Sequence, residues 1–265
     1  MPLTRRQRAK GNPVALSFRQ SEIVESARAD GRVVVEDLAQ RFDVTLQTIR
    51  RDLTELADFG LLDRVHGGAV PRTGVTNLGY DERRNMNEVA KAAIAKACAA
   101  AIPDNCSIII NLGTTTEAVA RELLQHRNIT VITNNMNVAN ILVANASCDI
   151  MVAGGAFRRS DGGLVGELTT QFFEQFKVDY AIIGSSALDG DGDLLDFDLA
   201  EVRVSKTIIR QARRVFLVCD HSKLGRSAPA RLASLSEISE VFTDQAFPED
   251  LAQRCIAWGT KINYG

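Results

Sequence analysis

The sequence predicts two domains of different class: a small winged helix-turn-helix, then a larger α/β domain built on a parallel sheet. Three observations predict it. Early in the chain a short helical segment carries Arg50 and Arg51 side by side, and a glycine-rich hairpin follows it. After residue 80 the pattern changes to short, apolar, β-branched runs separated by helical stretches. At 265 residues the chain is too long for one winged-helix module and fits a small domain plus a larger one.

From about Phe18 to Asp30, the residues Ile23, Val24 and Ala27 give an apolar stripe at helical spacing, and Gly31 stops the helix. Arg32 to Val34 is a short β-branched run, and a second helix spans about Val35 to Phe42. A third begins at Thr45, an N-cap residue type, and runs to about Phe59. Within it Leu46, Ile49, Leu53 and Leu56 share one face and are expected to meet the core. Gln47, Arg50, Arg51 and Thr54 share another. An arginine-rich helix face is often only solvated surface. Here, however, Gly60 ends the helix and residues 61–70 read as a hairpin carrying Arg64 and His66. Helix, strand, helix, turn, helix and hairpin together make a winged helix. Arginine and amide side chains near the N-terminus of its third helix suit a DNA major groove. Thr45, Gln47, Thr48, Arg50, Arg51, Arg64 and His66 are the expected DNA-contacting residues.

Before this domain, Arg5, Arg6, Arg8 and Lys10 precede the first acidic residue, Glu22, and form a basic arm over 1–16 that is expected to be disordered. The DNA-binding domain is expected over 17–72. Pro71, Gly74, Asn77 and Gly79 mark a linker, placed at 73–80. The net charge of −2 argues against indiscriminate nucleic-acid binding, so the distribution of charge matters more than its sum. Hydrophobic content of 45% and charged content of 24% suit a soluble globular protein, and no apolar run is long enough for a membrane span or a secretory signal. Cys98, Cys106, Cys148, Cys219 and Cys255 are scattered, without CxxC or Cys/His pairs. They read as structural thiols of a reducing cytoplasm, not as a disulfide framework or a metal site.

Over 81–265 an alanine-rich helix, about Glu82 to Ala101, leads into strands at about Ser107–Leu112, Thr130–Thr133, Asp149–Ala153, Tyr180–Ile183, Val215–Val218 and Glu240–Phe242. Strands this apolar, spaced by helices, predict a parallel sheet covered on both faces. Gly113-Thr114-Thr115 turns the first strand into a helix start, where backbone N–H groups, hydroxyls and the helix dipole can hold a phosphate or carboxylate. It is neither a Walker A loop nor GxGxxG, and the same residues can simply turn the chain and cap the helix. Thr133-Asn134-Asn135, Gly154-Gly155 and Gly184-Ser185-Ser186 end three further strands with polar or small residues. Ligands of open α/β sheets gather at such carboxyl ends, so a small-molecule cleft is expected. Asp220-His221-Ser222-Lys223 ends another strand. Lys223 can offer a point charge to a phosphate, or be a solvated loop cation. Adjacent Asp, His and Ser cannot form a catalytic triad. The Asp189-Gly190-Asp191-Gly192-Asp193 loop lacks the later glutamate and flanking helices of a calcium-binding EF-hand.

Taken together, these motifs resemble the DeoR family of bacterial transcriptional repressors. Gln47-Thr48-Ile49-Arg50-Arg51-Asp52-Leu53 with His66-Gly67-Gly68-Ala69 looks like its N-terminal signature. The likeness continues through Gly113-Thr114-Thr115, Thr133-Asn134-Asn135, Ala153-Gly154-Gly155, Arg159-Ser160-Asp161-Gly162-Gly163 and Asp220-His221-Ser222-Lys223. The resemblance implies an effector domain of the ribose-5-phosphate isomerase and coenzyme A transferase type, with the sugar-phosphate pocket kept as a sensor. It implies that Gly113, Thr114 and Thr115 hold a phosphate, and that Asn134, Gly154, Gly155, Asp161 and Lys223 line the rest of the pocket. The implied partners are double-stranded operator DNA, a phosphorylated effector (glycerol-3-phosphate or a sugar phosphate) and further copies of the chain in a dimer or tetramer, with no cofactor, metal or membrane. The sequence departs from the family pattern at Asn111, where many relatives carry Asp, at Ser185-Ser186-Ala187, and at Leu199-Ala200.

Two functions of different class stand at this point. One is a repressor of carbon-metabolism genes released from DNA by its effector. The other is a sugar-phosphate isomerase or transferase with a DNA-binding appendage, for which Asp196, Asp198 and Glu201 are candidate bases. A DNA-binding protein without a ligand leaves the polar strand ends unexplained.

Overall fold

The computed structural model describes residues 16–30, 32–59, 61–65, 67–71 and 80–265. The chain divides into two compact units, residues 1–76 and 77–265.

The first unit contains α1 (Phe18–Asp30), β1 (Val33–Val34), α2 (Val35–Phe42), α3 (Leu46–Asp58), β2 (Leu62–Val65) and β3 (Gly68–Pro71). The strands form an antiparallel sheet in the order β1-β3-β2. Asp43, at φ 51°, turns the chain out of α2, and the Thr45 hydroxyl caps α3 by accepting from Thr48 N at 3.2 Å. Ile23, Ala27, Leu38, Ile49, Leu53, Leu56 and Leu62 are buried in one core. Leu46 is not among them. It is 40% exposed, because the buried stripe of α3 begins a turn later at Ile49 and the first turn faces outward with Gln47. The wing hairpin crosses β1 so closely that a Cβ on Gly68 would lie 1.9 Å from the Val33 carbonyl oxygen. Only glycine fits there.

The second unit opens with α4 (Tyr80–Asn85), α5 (Glu88–Ala100), β4 (Ser107–Ile110), α6 (Thr114–Glu122), β5 (Ile129–Thr133), α7 (Met136–Leu142) and β6 (Cys148–Val152). A hairpin of β7 (Ala156–Arg158) and β8 (Gly163–Val165) follows, then α8 (Glu167–Glu174), β9 (Val178–Ile183), β10 (Ala187–Leu188), β11 (Asp193–Asp196) and α9 (Leu199–Arg210). The unit closes with β12 (Ala212–Val218), β13 (Ala230–Ser234), β14 (Glu240–Thr243), α10 (Glu249–Trp258) and β15 (Lys261–Tyr264). Seven strands form one sheet in the order β15-β14-β12-β9-β4-β5-β6, and every pairing is parallel. Its two faces are buried separately. Ile108 and Ile110 share a cluster with Ile94 and Val119, whereas Ile109 packs with Val204 and Ile208 of α9. The fold is therefore a helix-turn-helix unit joined to a parallel-sheet α/β unit.

Three features differ from the sequence expectation. The single helix expected over 82–101 is broken at Met86 and Asn87, with Asn87 in the left-handed region at φ 51°. A seventh strand, β15, adds to the edge of the sheet, and β10, β11 and β13 make a separate antiparallel sheet. These strands are too short or too polar to show an apolar run. In sheet order, β4 leads on one side to β5 and β6 and on the other to β9, so the winding reverses between β4 and β9. Such a reversal opens a crevice at the carboxyl ends of the two strands.

Candidate functional site

On α3, Thr45, Gln47, Arg50 and Arg51 are exposed and Thr48 is half-buried. The Arg50 guanidinium makes no hydrogen bond or ion pair among the described residues. Arg51 Nε pairs with Glu55 at 3.1 Å across one helical turn, and the arginine side chain is 82% exposed, so the pair yields readily to a competing anion. Arg64 Nη1 donates from the wing to Thr54 Oγ1 at 2.8 Å, and that hydroxyl donates to the Arg50 carbonyl at 2.7 Å. The wing is thereby fastened to α3 beside Arg50. From the core side, buried Asp52 accepts from Arg19 Nε at 2.6 Å, which holds α1 against α3. His66 and the basic residues Arg5, Arg6, Arg8 and Lys10 lie outside the described residues.

In the second unit the polar residues collect at the crevice. Gly113, at φ 141°, turns the end of β4 into α6, a conformation that side-chain-bearing residues rarely adopt. Thr114 and Thr115 open α6, and the Thr114 hydroxyl donates to the Arg83 carbonyl at 3.5 Å. Lys91 is buried and donates to the same carbonyl. Asp220, buried at the end of β12, accepts from Asn87 Nδ2 at 2.8 Å and Ser222 N at 3.0 Å. Burial pushes the Lys223 ammonium down to about 8; Arg226, Arg83 and Lys91 add to the shift and Asp220 opposes it. Burial also lowers Lys91, again against Asp220. The cations therefore act on one another, and an anion among them relieves both burial and repulsion.

Among the described residues, four buried side-chain polar atoms lack a hydrogen-bond partner: Arg83 Nε, Asn111 Oδ1, Asn134 Oδ1 and Ser185 Oγ. All belong to this end of the unit. Buried polar atoms are nearly always paired, so four unpaired ones in one region mark a place built to meet something else. Next to them Glu117, buried, accepts from Tyr80 Oη at 2.8 Å, Asn137 Nδ2 at 3.0 Å and Asn135 Nδ2 at 3.3 Å.

A second cluster joins the β7–β8 hairpin to α9. Arg158 reaches Asp161 at 2.5 Å, Glu201 at 2.6 Å and Asp198 at 2.7 Å. Burial works against the Arg158 charge, but Asp161 and Glu201 outweigh it and hold its pKa above the ordinary value. Burial pushes the Glu201 carboxyl up to about 7, with Asp196 adding to the shift and Arg158 opposing it.

The matches to known proteins fall on both units. Residues 19–73 match the DeoR-like helix-turn-helix domain, and residues 86–245 match the DeoR C-terminal sensor domain. The chain belongs to the DeoR family. It is 43% identical over 235 residues to the glycerol-3-phosphate regulon repressor of Escherichia coli (strain K12), covering 89% of this chain and 93% of that one. It is 37% identical over 244 residues to the transcriptional repressor CsqR of the same organism, covering 92% of each. A solved D-ribose-5-phosphate isomerase in complex with phospho-erythronic acid is 17% identical at TM-score 0.38, over 56% of this chain and 55% of that one.

In this DeoR-family chain Gly113, Thr114 and Thr115 stand at the crevice, with Asn134 one strand away and Lys223 among the cations. Gly154 and Gly155 lie exposed at the end of β6, two strands from β4. Both carboxylate oxygens of Asp161 accept from Arg158, and Oδ1 also accepts from Gly163 N at 3.1 Å. Asp189 accepts from Asp191 N and Asp193 N and so closes its own loop. Among the described residues no group of three or more His, Cys, Asp or Glu is arranged to hold a metal, and no helix is long and apolar enough to cross a membrane. All five cysteines are free thiols. The sequence reading missed Arg83, Lys91, Glu117 and Arg158. Lys91 had a signal: it shares a helix face with Ile94, Ala95 and Cys98, and a lysine on an apolar stripe is rarely idle. Two surface hollows of about 290 and 480 Å³ open beside the C-terminal part of α9 and the starts of β12, β14 and β15, away from this site.

Proposed function

We propose that the chain is a DNA-binding transcriptional repressor of carbon-metabolism genes, released from its operator when a phosphorylated small molecule fills the crevice. Glycerol-3-phosphate is the first candidate, since a relative 43% identical is a glycerol-3-phosphate regulon repressor. The observation that carries the reading is the cluster of Lys91, Lys223 and Arg83 beside the start of α6, where helix dipole and cations favour the same anion. Gly113, Thr114, Thr115 and Lys223 hold the phosphate, and Asn134, Gly154, Gly155 and Asp161 border the rest. Gln47, Arg50 and Arg51 read base edges, with Thr45, Thr48, Arg64 and His66 against the backbone. The working boundaries are 17–72 for the DNA-binding domain, 73–80 for the linker and 81–265 for the effector domain, preceded by the basic arm.

The protein acts in the cytoplasm as a dimer or tetramer on a palindromic operator. Met151 and Val152 on the edge strand β6 and Phe157 on β7 are exposed, which supports a self-association face. Thermal-shift screening against sugar and polyol phosphates tests the reading. A ligand at 100 times its Kd stabilises the folded domain by about 2.7 kcal/mol. No stabilisation by any phosphorylated compound contradicts it.

One observation favours the enzymatic alternative: Glu201, at about 7, has the acidity of a general acid or base. Its carboxylate, however, is committed to Arg158 at 2.6 Å. Turnover of ribose-5-phosphate by the purified protein decides for the enzyme.

A further inference from the structure

The unpaired atoms at the carboxyl end of the sheet are not scattered. Asn111 follows β4, Asn134 follows β5, and Ser185 lies just beyond β9, and these three strands are neighbours in the order β9-β4-β5. Successive residues of a strand point to opposite faces. Ile109, Ile132, Ala181 and Ile183 all lie in the core cluster shared with α9. Counting on by twos puts Asn111, Asn134 and Ser185 on that same face. Ile110 pairs with Thr133, so Asn111 and Asn134 stand side by side. Asn111 N donates to the Ile182 carbonyl, which places Asn111 beside Ile183, with Ser185 the next residue of its face. The row spans about two strand spacings, ~10 Å.

Each asparagine is half used. Asn111 Nδ2 donates to Ser205 Oγ at 2.7 Å and Asn134 Nδ2 to the Leu164 carbonyl at 3.0 Å, and both residues are buried, at 2% and 0% exposure. Their oxygens and the Ser185 hydroxyl remain without partners. Two of these three unpaired atoms are amide oxygens, which accept and cannot donate, so the row does not suit a second phosphate. The cations stand elsewhere, on α4, on α5 and after β12. A hydroxyl suits the row, because it both donates and accepts.

We propose that Asn111, Asn134 and Ser185 form a hydroxyl-reading subsite that decides which phosphorylated effector the pocket accepts. The inference rests on the phosphate pocket proposed above and assigns the other end of the same ligand. Asn111 reads a hydroxyl at the centre of the row, and Ser185 reads the one displaced toward β9.

Isothermal titration of the full-length protein with glycerol-3-phosphate, ribose-5-phosphate, n-propyl phosphate and inorganic phosphate tests it. At least one hydroxylated phosphate binds ten or more times tighter than n-propyl phosphate, because the analogue leaves the buried row unpaired (about a factor of ten per 1.4 kcal/mol). Ser185→Ala breaks no bond within the protein, and it reduces that ratio several-fold while n-propyl phosphate binding stays within about twofold. Asn111→Ala gives the same pattern with a larger loss. Equal binding of hydroxylated and alkyl phosphates by the unaltered protein, or an unchanged ratio in both variants, overturns the subsite and leaves the phosphate pocket standing. Failure of every phosphate to bind overturns the pocket, and the subsite with it.

Discussion

The side-chain amide of Asn87 donates to Asp220 Oδ1 at 2.8 Å, tying the break between α4 and α5 to the loop that carries Lys223. The residues are 133 positions apart, and the bond closes the cationic side of the crevice. Asn87→Gly keeps the left-handed backbone and removes only the bond. Urea unfolding of the variant is expected to show a loss of about 1.5–3 kcal/mol, the range for a hydrogen bond to a charged partner. Unchanged stability shows that the bond does not hold the loop.

Arg50 and Arg64 separate base reading from wing placement. Arg50→Ala is expected to weaken operator binding by about 1–3 kcal/mol, with specificity relaxed at the bases it contacts. Arg64→Ala frees the wing from Thr54 and weakens binding across all sequences. Gel-shift titrations on the operator and on single-base variants distinguish the two patterns. Unaltered affinity in both variants removes α3 as the reading head.

Lys223 makes effector binding depend on pH. Its pKa stands lowered to about 8 in the free protein, and a bound phosphate dianion raises it again. The charged form binds, so affinity is full below about 8 and falls as pH rises through 8, by up to about tenfold per unit until the bound pKa is reached. Titration calorimetry from pH 7 to 9.5 reads the slope. Lys223→Met flattens it.

Glu201 gives a second pH signature, in stability. Its folded pKa of about 7 stands above the ordinary 4.5, so the folded state holds the proton more tightly than the unfolded chain. Below about 4.5 both states are protonated and Glu201 costs nothing. As pH rises toward 7 its contribution turns unfavourable, then levels off. Glu201→Gln is expected to be more stable relative to the unaltered protein at pH 7 than at pH 4.5, by thermal unfolding at both values. An equal difference at both refutes the raised pKa.

The DNA-binding unit was almost wholly legible in the sequence, because local signals fix it: the Thr45 cap, the stripe from Ile49 to Leu56, and the Gly67-Gly68 hairpin. Leu46 was misplaced because helical spacing shows which residues share a face but not where the core ends. In the α/β unit the six apolar strands announced themselves, whereas β15 did not, since Lys261-Ile262-Asn263-Tyr264 contains no apolar run. The break at Asn87 was hidden inside an alanine-rich run whose propensity favours helix throughout. The glycine and threonine turn of the crevice could be read from its residues. Of its cations Lys223 was read, but Arg83 and Lys91 were not, because they meet Lys223 only through tertiary packing. The unpaired state of Asn111 and Ser185 likewise emerges only when the three strands are aligned.

Fluorescence anisotropy of the full-length protein on labelled operator DNA, titrated with glycerol-3-phosphate, glycerol and inorganic phosphate, tests whether the effector releases the operator. Of the three, glycerol-3-phosphate alone is expected to weaken DNA binding, by ~10–100-fold, corresponding to about 1.4–2.7 kcal/mol of coupling. Unchanged or tighter DNA binding with glycerol-3-phosphate and every other polyol or sugar phosphate contradicts it.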